Sequence, residues 1–201
     1  QLHNNCSGKH AGFLALNRHL GGGTEYVEID HPVQKAVRAA FEEMGLPHLR
    51  VAGQKGWHGV AIASRLPLED SDTFQVCKLG HARCVSARVS GIDVQNFYVP
   101  AGGDIPDRAV NAKFGQKLDF LTEMRDAFHA DRPSRSILVG DLNIAPREDD
   151  VWSHKAMQKI VSHTPVEVAH LTDVMDAGGW VDITRQDIPA GPLFSWWSYR
   201  N

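Results

Sequence analysis

Apolar and polar positions alternate between two periods along this chain. Residues 59–63 (GVAIA) form a short unbroken apolar run behind a loop bearing Gly and His, the pattern of a buried strand. Residues 85–89 and 92–99 are two β-rich runs separated only by Ser90 and Gly91, which predicts a hairpin. Pro100, Gly102 and Gly103 end the second run and open a loop. Between Lys113 and Phe128 the period changes to 3.6. Phe114, Leu118, Leu121 and Phe128 make one stripe, widened by Phe120, Met124 and Ala127, so an amphipathic helix is expected. Residues 136–140 (SILVG) predict another buried strand, with Asp141 at its end. Helical patterning returns around 154–161 and 168–177, where Gly178-Gly179 closes the second helix. Nearer the start, residues 10–20 (HAGFLALNRHL) pattern as a helix, Gly21 to Gly23 break it, and Glu25 to Ile29 alternate as a strand. A helix should then begin at Pro32. Strands that pair in hairpins and are interrupted by helices indicate an α/β sandwich and not a doubly wound parallel sheet.

The 201 residues suffice for one sizeable α/β domain. No apolar run reaches the length of a membrane span, and the first residues lack the basic, apolar and small-residue order of a signal peptide. Three cysteines, Cys6, Cys77 and Cys84, form no disulfide framework, so a reducing cytoplasm is the expected compartment. The net charge of −3 argues against a blanket nucleic-acid coat. Its distribution is uneven: residues 50–117 hold nine Lys or Arg against six Asp or Glu. A locally basic face on an acidic chain suits an enzyme that holds phosphates and releases them, and equally suits ordinary solvated charge.

Three segments could carry chemistry. In GDLNIAP (140–146) a strand delivers the Asp141 carboxylate and, two residues later, the Asn143 carboxamide. If the chain stays extended, both point to one side. Hard oxygen donors of this kind suit Mg²⁺ and the phosphate oxygens it bridges, while a turn-forming Asp and Asn at a strand end is the plain alternative. NFYVPAGG (96–103) puts the Tyr98 phenol at the end of a hairpin strand, where it could bond a phosphate oxygen or fill the core edge. FSWWSYR (194–200) concentrates four aromatics in seven positions. They could wedge into a DNA groove, stack on an extruded nucleotide, or line the edge of a sandwich.

Taken together and in order, GQKGWHGVAIASR (53–65), NFYVPAGG, KFGQKLDFL (113–121), ILVGDLNIAP (137–146), GWVDITR (179–185) and FSWWSYR resemble the exodeoxyribonuclease III branch of the endonuclease/exonuclease/phosphatase family. The resemblance covers residues 47–199. It implies a four-layer α/β sandwich and Mg²⁺-dependent (or Mn²⁺-dependent) hydrolysis of DNA phosphodiesters, from 3′ ends or beside abasic sites in double-stranded DNA. A cytoplasmic monomer with no membrane partner is expected. By the same resemblance Asp141 activates or orients the attacking water and Asn143 stabilises the phosphate and its metal, while Tyr98 is the active-site tyrosine. Trp196 and Trp197 would lie near the abasic-sugar pocket, and Lys55, Arg108 and Lys113 would contact phosphates.

Both ends depart from that pattern. The family continues to a further aspartate and a late Ser-Asp-His motif that this sequence lacks, so an impaired nuclease, truncated at its C-terminal end, is expected. A non-catalytic DNA-binding remnant is the alternative. Residues 1–43 instead resemble a fragment of a bacterial zinc-containing L-asparaginase, with Cys6 and Lys9 at positions near that family's site. That suggests an asparaginase activity only weakly, because nothing matches the family's nucleophilic serines. The expected organisation is therefore an asparaginase-like piece over 1–43, packed as helix, strand and helix on an incomplete exonuclease III-like domain over 44–201. Glu28, at the end of the expected strand, is either a solvent-facing residue or a surrogate metal ligand. As a ligand it would approach Asp141 from a strand beside the Asp141 strand.

Overall fold

The computed structural model describes residues 13–17, 32–53, 59–71 and 76–195. Glu28, Lys55, Trp196 and Trp197 lie outside the described residues, as does the strand expected at 25–29. The elements are β1 (Phe13–Asn17), α1 (Pro32–Glu43), β2 (His48–Gly53), β3 (Gly59–Ser64), β4 (Cys84–Val89), β5 (Ile92–Tyr98), α2 (Ala112–Ala130), β6 (Ser136–Asp141), α3 (His154–Met157), α4 (Pro165–Gly178) and α5 (Ile183–Asp187). A 3₁₀ turn, Glu148–Asp150, precedes α3. They fall into two compact units. The first holds residues 1–98 and 134–141, and the second holds 99–133 and 142–201.

The first unit is a two-sheet sandwich. One sheet runs β1-β3-β2 and is antiparallel throughout, and the other runs β4-β5-β6. Val60 and Ile62 of β3 meet Val85, Ala87 and Val89 of β4 and Val94 of β5, all buried. Ala63 faces the other way, into a second cluster with Phe41 of α1 and Leu46. Strand β3 is thus covered on both faces, which is why its sequence is an unbroken apolar run. Each of the larger side chains contributes about 1.5–3 kcal/mol by leaving water.

The β4–β5 hairpin closes as expected, with positive φ at both Ser90 (51°) and Gly91 (77°), as a two-residue type I′ turn requires. Beyond β5 the chain leaves this unit and returns as β6, parallel to β5. The β6 strand is less buried than its apolar sequence predicts. Residues 136–139 are half-buried and Gly140 and Asp141 are exposed; among the described residues β6 is the outer strand of its sheet. The helix expected over 10–20 is corrected: Phe13–Asn17 is a strand, paired antiparallel with β3. Four apolar residues in a row fit either period, and pairing with the edge of β3 decides between them.

In the second unit α2 packs against α4. Phe114, Leu118, Phe120, Leu121, Met124 and Phe128 are buried, so the stripe read from the sequence is the packed face of α2. Asn111 caps α2, accepting from the Lys113 backbone N–H at 3.1 Å. Thr164 caps α4 in a capping box with Glu167, Pro165 follows at the first turn, and Gly179 ends the helix in a left-handed conformation (φ 65°). The third helix is shorter than its pattern, stopping at Met157.

Candidate active site

Strand pairing brings Tyr98 and Asp141 together. They are register partners at the ends of the parallel strands β5 and β6. Asp141 is exposed at the mouth of the sheet, while Tyr98 is half-buried against the sandwich core. Gly140 explains how the carboxylate gets there. Its φ is 133°, and a Cβ on it would stand 1.9 Å from the Phe97 carbonyl oxygen and 2.8 Å from Asn96 Oδ1. Only glycine lets β6 lie this close to β5 at that point.

Tyr98 is held by Arg83, which sequence reading did not single out. The Tyr98 backbone N–H donates to the Arg83 carbonyl at 2.7 Å, and Arg83 Nη1 donates back to the Tyr98 carbonyl at 3.1 Å. The guanidinium lies 5.0 Å from the ring centroid. Burial raises the phenol's pKa first and the Asp141 charge raises it further, with Arg83 opposing. Tyr98 therefore stays a neutral donor through the physiological range. A group protonated more tightly in the folded state contributes stability below its ordinary pKa, about 10 for tyrosine, and loses it as pH rises through the folded value. Of the three tyrosines, the one missing from a Tyr98→Phe difference spectrum should ionise above that ordinary value. Ionisation at or below it, followed by ultraviolet absorbance, would contradict this environment.

Asn143 belongs to the second unit, one residue beyond Leu142. The extended geometry that would put it on the same side as Asp141 does not continue, since Asn143 has φ 52°. Asparagine tolerates this left-handed region better than most residues. Its carboxamide Nδ2 donates to the Val99 carbonyl at 2.9 Å, and its own carbonyl accepts from Lys117 Nζ at 2.7 Å. Both ends of the residue are fixed.

Lys117 was hidden in the apolar stripe. It sits three residues after Phe114 and is fully buried, with its ammonium 2.5 Å from Glu167 Oε1. Glu167 also accepts from the backbone N–H of Ser162 and Thr164 and from Thr164 Oγ1. The Thr-x-x-Glu capping pattern was a signal for Glu167, and a lysine on the buried face of a helix was the signal for its partner.

Arg108 and Lys113 are exposed in the second unit. Arg108 is paired with Asp119 at 3.0 Å, so a phosphate must compete with that carboxylate. The approach to the aromatic segment is anchored by ion pairs that also went unread. Arg185 bonds Asp149 at 3.1 Å, Asp150, and the Gly191 carbonyl at 3.0 Å. Leu193 and Ser195 N–H groups donate to the Asp149 and Asp150 carbonyls. This network orders the chain up to Ser195, next to Trp196.

Among the described residues no three His, Cys, Asp or Glu side chains stand together as a metal cluster. Asp141 supplies one exposed carboxylate. That donor set fits Mg²⁺, which takes one or two carboxylates and keeps its waters, better than metals that require imidazole or thiolate.

Residues 1–52 match the L-asparaginase II family, which is about a quarter of the chain. An exodeoxyribonuclease of Bacillus subtilis is 26% identical over 165 residues, covering 74% of this chain and 58% of that protein. The chain thus spans less than two thirds of that relative. An AP endonuclease from Archaeoglobus fulgidus superposes with a TM-score of 0.75 at 27% identity, over 94% of this chain and 69% of the other. A 3′–5′ exonuclease from Neisseria meningitidis gives a TM-score of 0.76 at 28% identity over the same shares. A Neisseria 3′ phosphatase bound to a product DNA hairpin gives a TM-score of 0.76 at 27% identity. This chain has the α/β fold of the AP endonucleases and 3′–5′ exonucleases and resembles them in sequence over its main body.

Proposed function

We propose that this chain hydrolyses phosphodiester bonds in double-stranded DNA, at 3′ ends or beside abasic sites, with a divalent cation. The observation that carries the reading is the register pairing of Tyr98 with an exposed Asp141, placed by a glycine that no other residue can replace. Similarity to an exodeoxyribonuclease, an AP endonuclease and a structure holding a DNA hairpin points to the same chemistry.

Asp141 would hold Mg²⁺ or Mn²⁺, with Glu28 a further candidate ligand and Asn143 beside it in sequence. The ion supplies charge that offsets the negative charge growing on the phosphate. The protein's own groups divide the remaining work. Asp141 orients the attacking water and accepts its hydrogen bond. Tyr98, kept neutral by burial, donates to a phosphate oxygen. Asn143 contributes a carboxamide whose plane is set by its bond to Val99. Lys55, Arg108 and Lys113 would contact flanking phosphates, and Trp196 and Trp197 would serve the abasic sugar. The enzyme acts as a monomer in the cytoplasm. Among the described residues, no helix is long and apolar enough to cross a membrane.

Residues 1–43 are read as an asparaginase-like piece packed on the exonuclease III-like domain over 44–201. The pairing of β1 with β3 and the packing of α1 on the first unit support this.

The test is cleavage of an abasic duplex and of a recessed 3′ end by purified protein, with and without Mg²⁺. Metal-dependent strand cleavage is expected, together with DNA affinity that falls steeply as salt rises, through counterion release. Salt-sensitive binding without cleavage would leave a DNA-binding module in place of an enzyme. Neither binding nor cleavage would end the reading.

A further inference from the structure

The buried Lys117–Glu167 pair is unexpected in a helix whose stripe is otherwise apolar. A buried ion pair is a poor way to stabilise a fold, because desolvation cancels most of the attraction. Hydrophobic residues of similar size commonly do as well. Its contacts suggest another use. The ammonium has three N–H donors, and its acceptors include Glu167 Oε1 at 2.5 Å, the Asn143 carbonyl at 2.7 Å and the Ala101 carbonyl at 3.4 Å. The first belongs to a capping box that fixes the start of α4. The second belongs to the proposed site residue itself, and the third to the loop that follows Tyr98 and Val99.

The surroundings enclose the lysine completely. A Cβ on Gly102, where φ is 90°, would stand 3.0 Å from Lys117 Cδ, so the Ala101–Gly102 backbone lies directly on the lysine stem. Glu167 is held in turn by three donors from residues 162 and 164. The result is a rigid chain: α4 fixes Glu167, Glu167 fixes Lys117, and Lys117 fixes the carbonyl of a residue in a left-handed conformation. The same residue's carboxamide bonds Val99, two positions before Ala101.

We propose that Lys117 is a positioning residue of the nuclease site, tying the Asn143 and Ala101 carbonyls to Glu167 so that the Asn143 carboxamide is held in one orientation. This rests on the functional reading above for its kinetic consequence but not for its structural one. Lys117 does not touch substrate. Its effect travels through the Asn143 backbone, and a purely structural ion pair would have no such effect.

A paired substitution separates the two roles. Lys117→Met alone leaves Glu167 charged and buried, and should melt well below wild type. Lys117→Met with Glu167→Gln removes both charges at nearly constant volume and should recover most of that loss. If the pair only stabilises, cleavage returns with stability. If Lys117 positions Asn143, the folded double variant keeps a kcat reduced about tenfold or more, with KM for DNA little changed. A second readout needs no activity. The Asn143 side-chain amide signal in the ¹⁵N spectrum, assigned by its loss in Asn143→Asp, should be protected from exchange in wild type and shifted or unprotected in the double variant. Wild-type kcat in the folded double variant, or an unmoved amide signal, overturns the proposal. If wild type cleaves no DNA, the functional reading has failed and the amide signal alone decides. If the double variant does not fold, Glu167→Gln, which keeps the acceptor oxygen, is judged by the same two readouts.

Discussion

Asp141→Asn should lower Mg²⁺-dependent cleavage of abasic DNA by about a thousandfold or more, because members of a cooperative site fail together. The same protein should melt within about 0.5 kcal/mol of wild type, as substitutions at exposed positions usually do. Both halves follow from where the residue sits. Asp141 ends β6, exposed, beside Tyr98 and one residue after a glycine packed on the neighbouring strand. A rigid element therefore places a carboxylate that the core does not need. Asparagine keeps the shape and removes the negative charge that a cation and an attacking water require. Cleavage and a thermal melt on the same preparations give the answer. Equal cleavage by two folded proteins would place the catalytic carboxylate elsewhere.

Gly140→Ala should do the reverse, damaging the fold first and the site as a consequence. The new methyl group would lie 1.9 Å from the Phe97 carbonyl oxygen and 2.9 Å from its carbon, on a backbone at φ 133°. Backbone atoms of a paired strand cannot move aside as a side-chain tip can, so β6 must separate from β5 there. The expected cost is about 3 kcal/mol, combining overpacking with a conformation that L residues rarely adopt. Because Asp141 is next in the chain, cleavage should fall even at temperatures where the variant stays folded. Denaturant unfolding measures the first effect and cleavage at low temperature the second. A Gly140→Ala protein as stable and active as wild type would show that β6 does not approach β5 so closely.

Much of this arrangement was readable in advance. The apolar run of β3, the Ser90-Gly91 turn, the stripe of α2 and the Gly178-Gly179 stop all became the elements they predicted. Each is written in local residues: a period, a turn that needs positive φ, a helix end that needs glycine. Where a segment is short and uniformly apolar, the local signal was not enough. Phe13–Asn17 is a strand because the edge of β3 was available to pair with it. Residues 136–139 of the SILVG run are only half-buried, with β6 the outer strand of its sheet among the described residues, and the local pattern of the run contains nothing about that position.

The candidate site divides in the same way. The order of residues alone offers the groups for the proposed chemistry: the carboxylate after the SILVG strand, the carboxamide two residues on, and the phenol at the end of the hairpin. Their types and order follow from the chain. Which of them meet, and what holds them, is set by the fold. Tyr98 and Asp141 are 43 positions apart in sequence and become partners only through the parallel pairing of β5 with β6. Asn143 leaves the extended path, and its orientation depends on Val99 and on a lysine from another helix. Arg83 over the Tyr98 ring, and the burial that keeps that phenol neutral, likewise have no local signature. The physical reason is that side-chain chemistry and local backbone preference are properties of a few neighbouring residues. Burial, register and the partner of a buried charge are set by segments that only folding brings together.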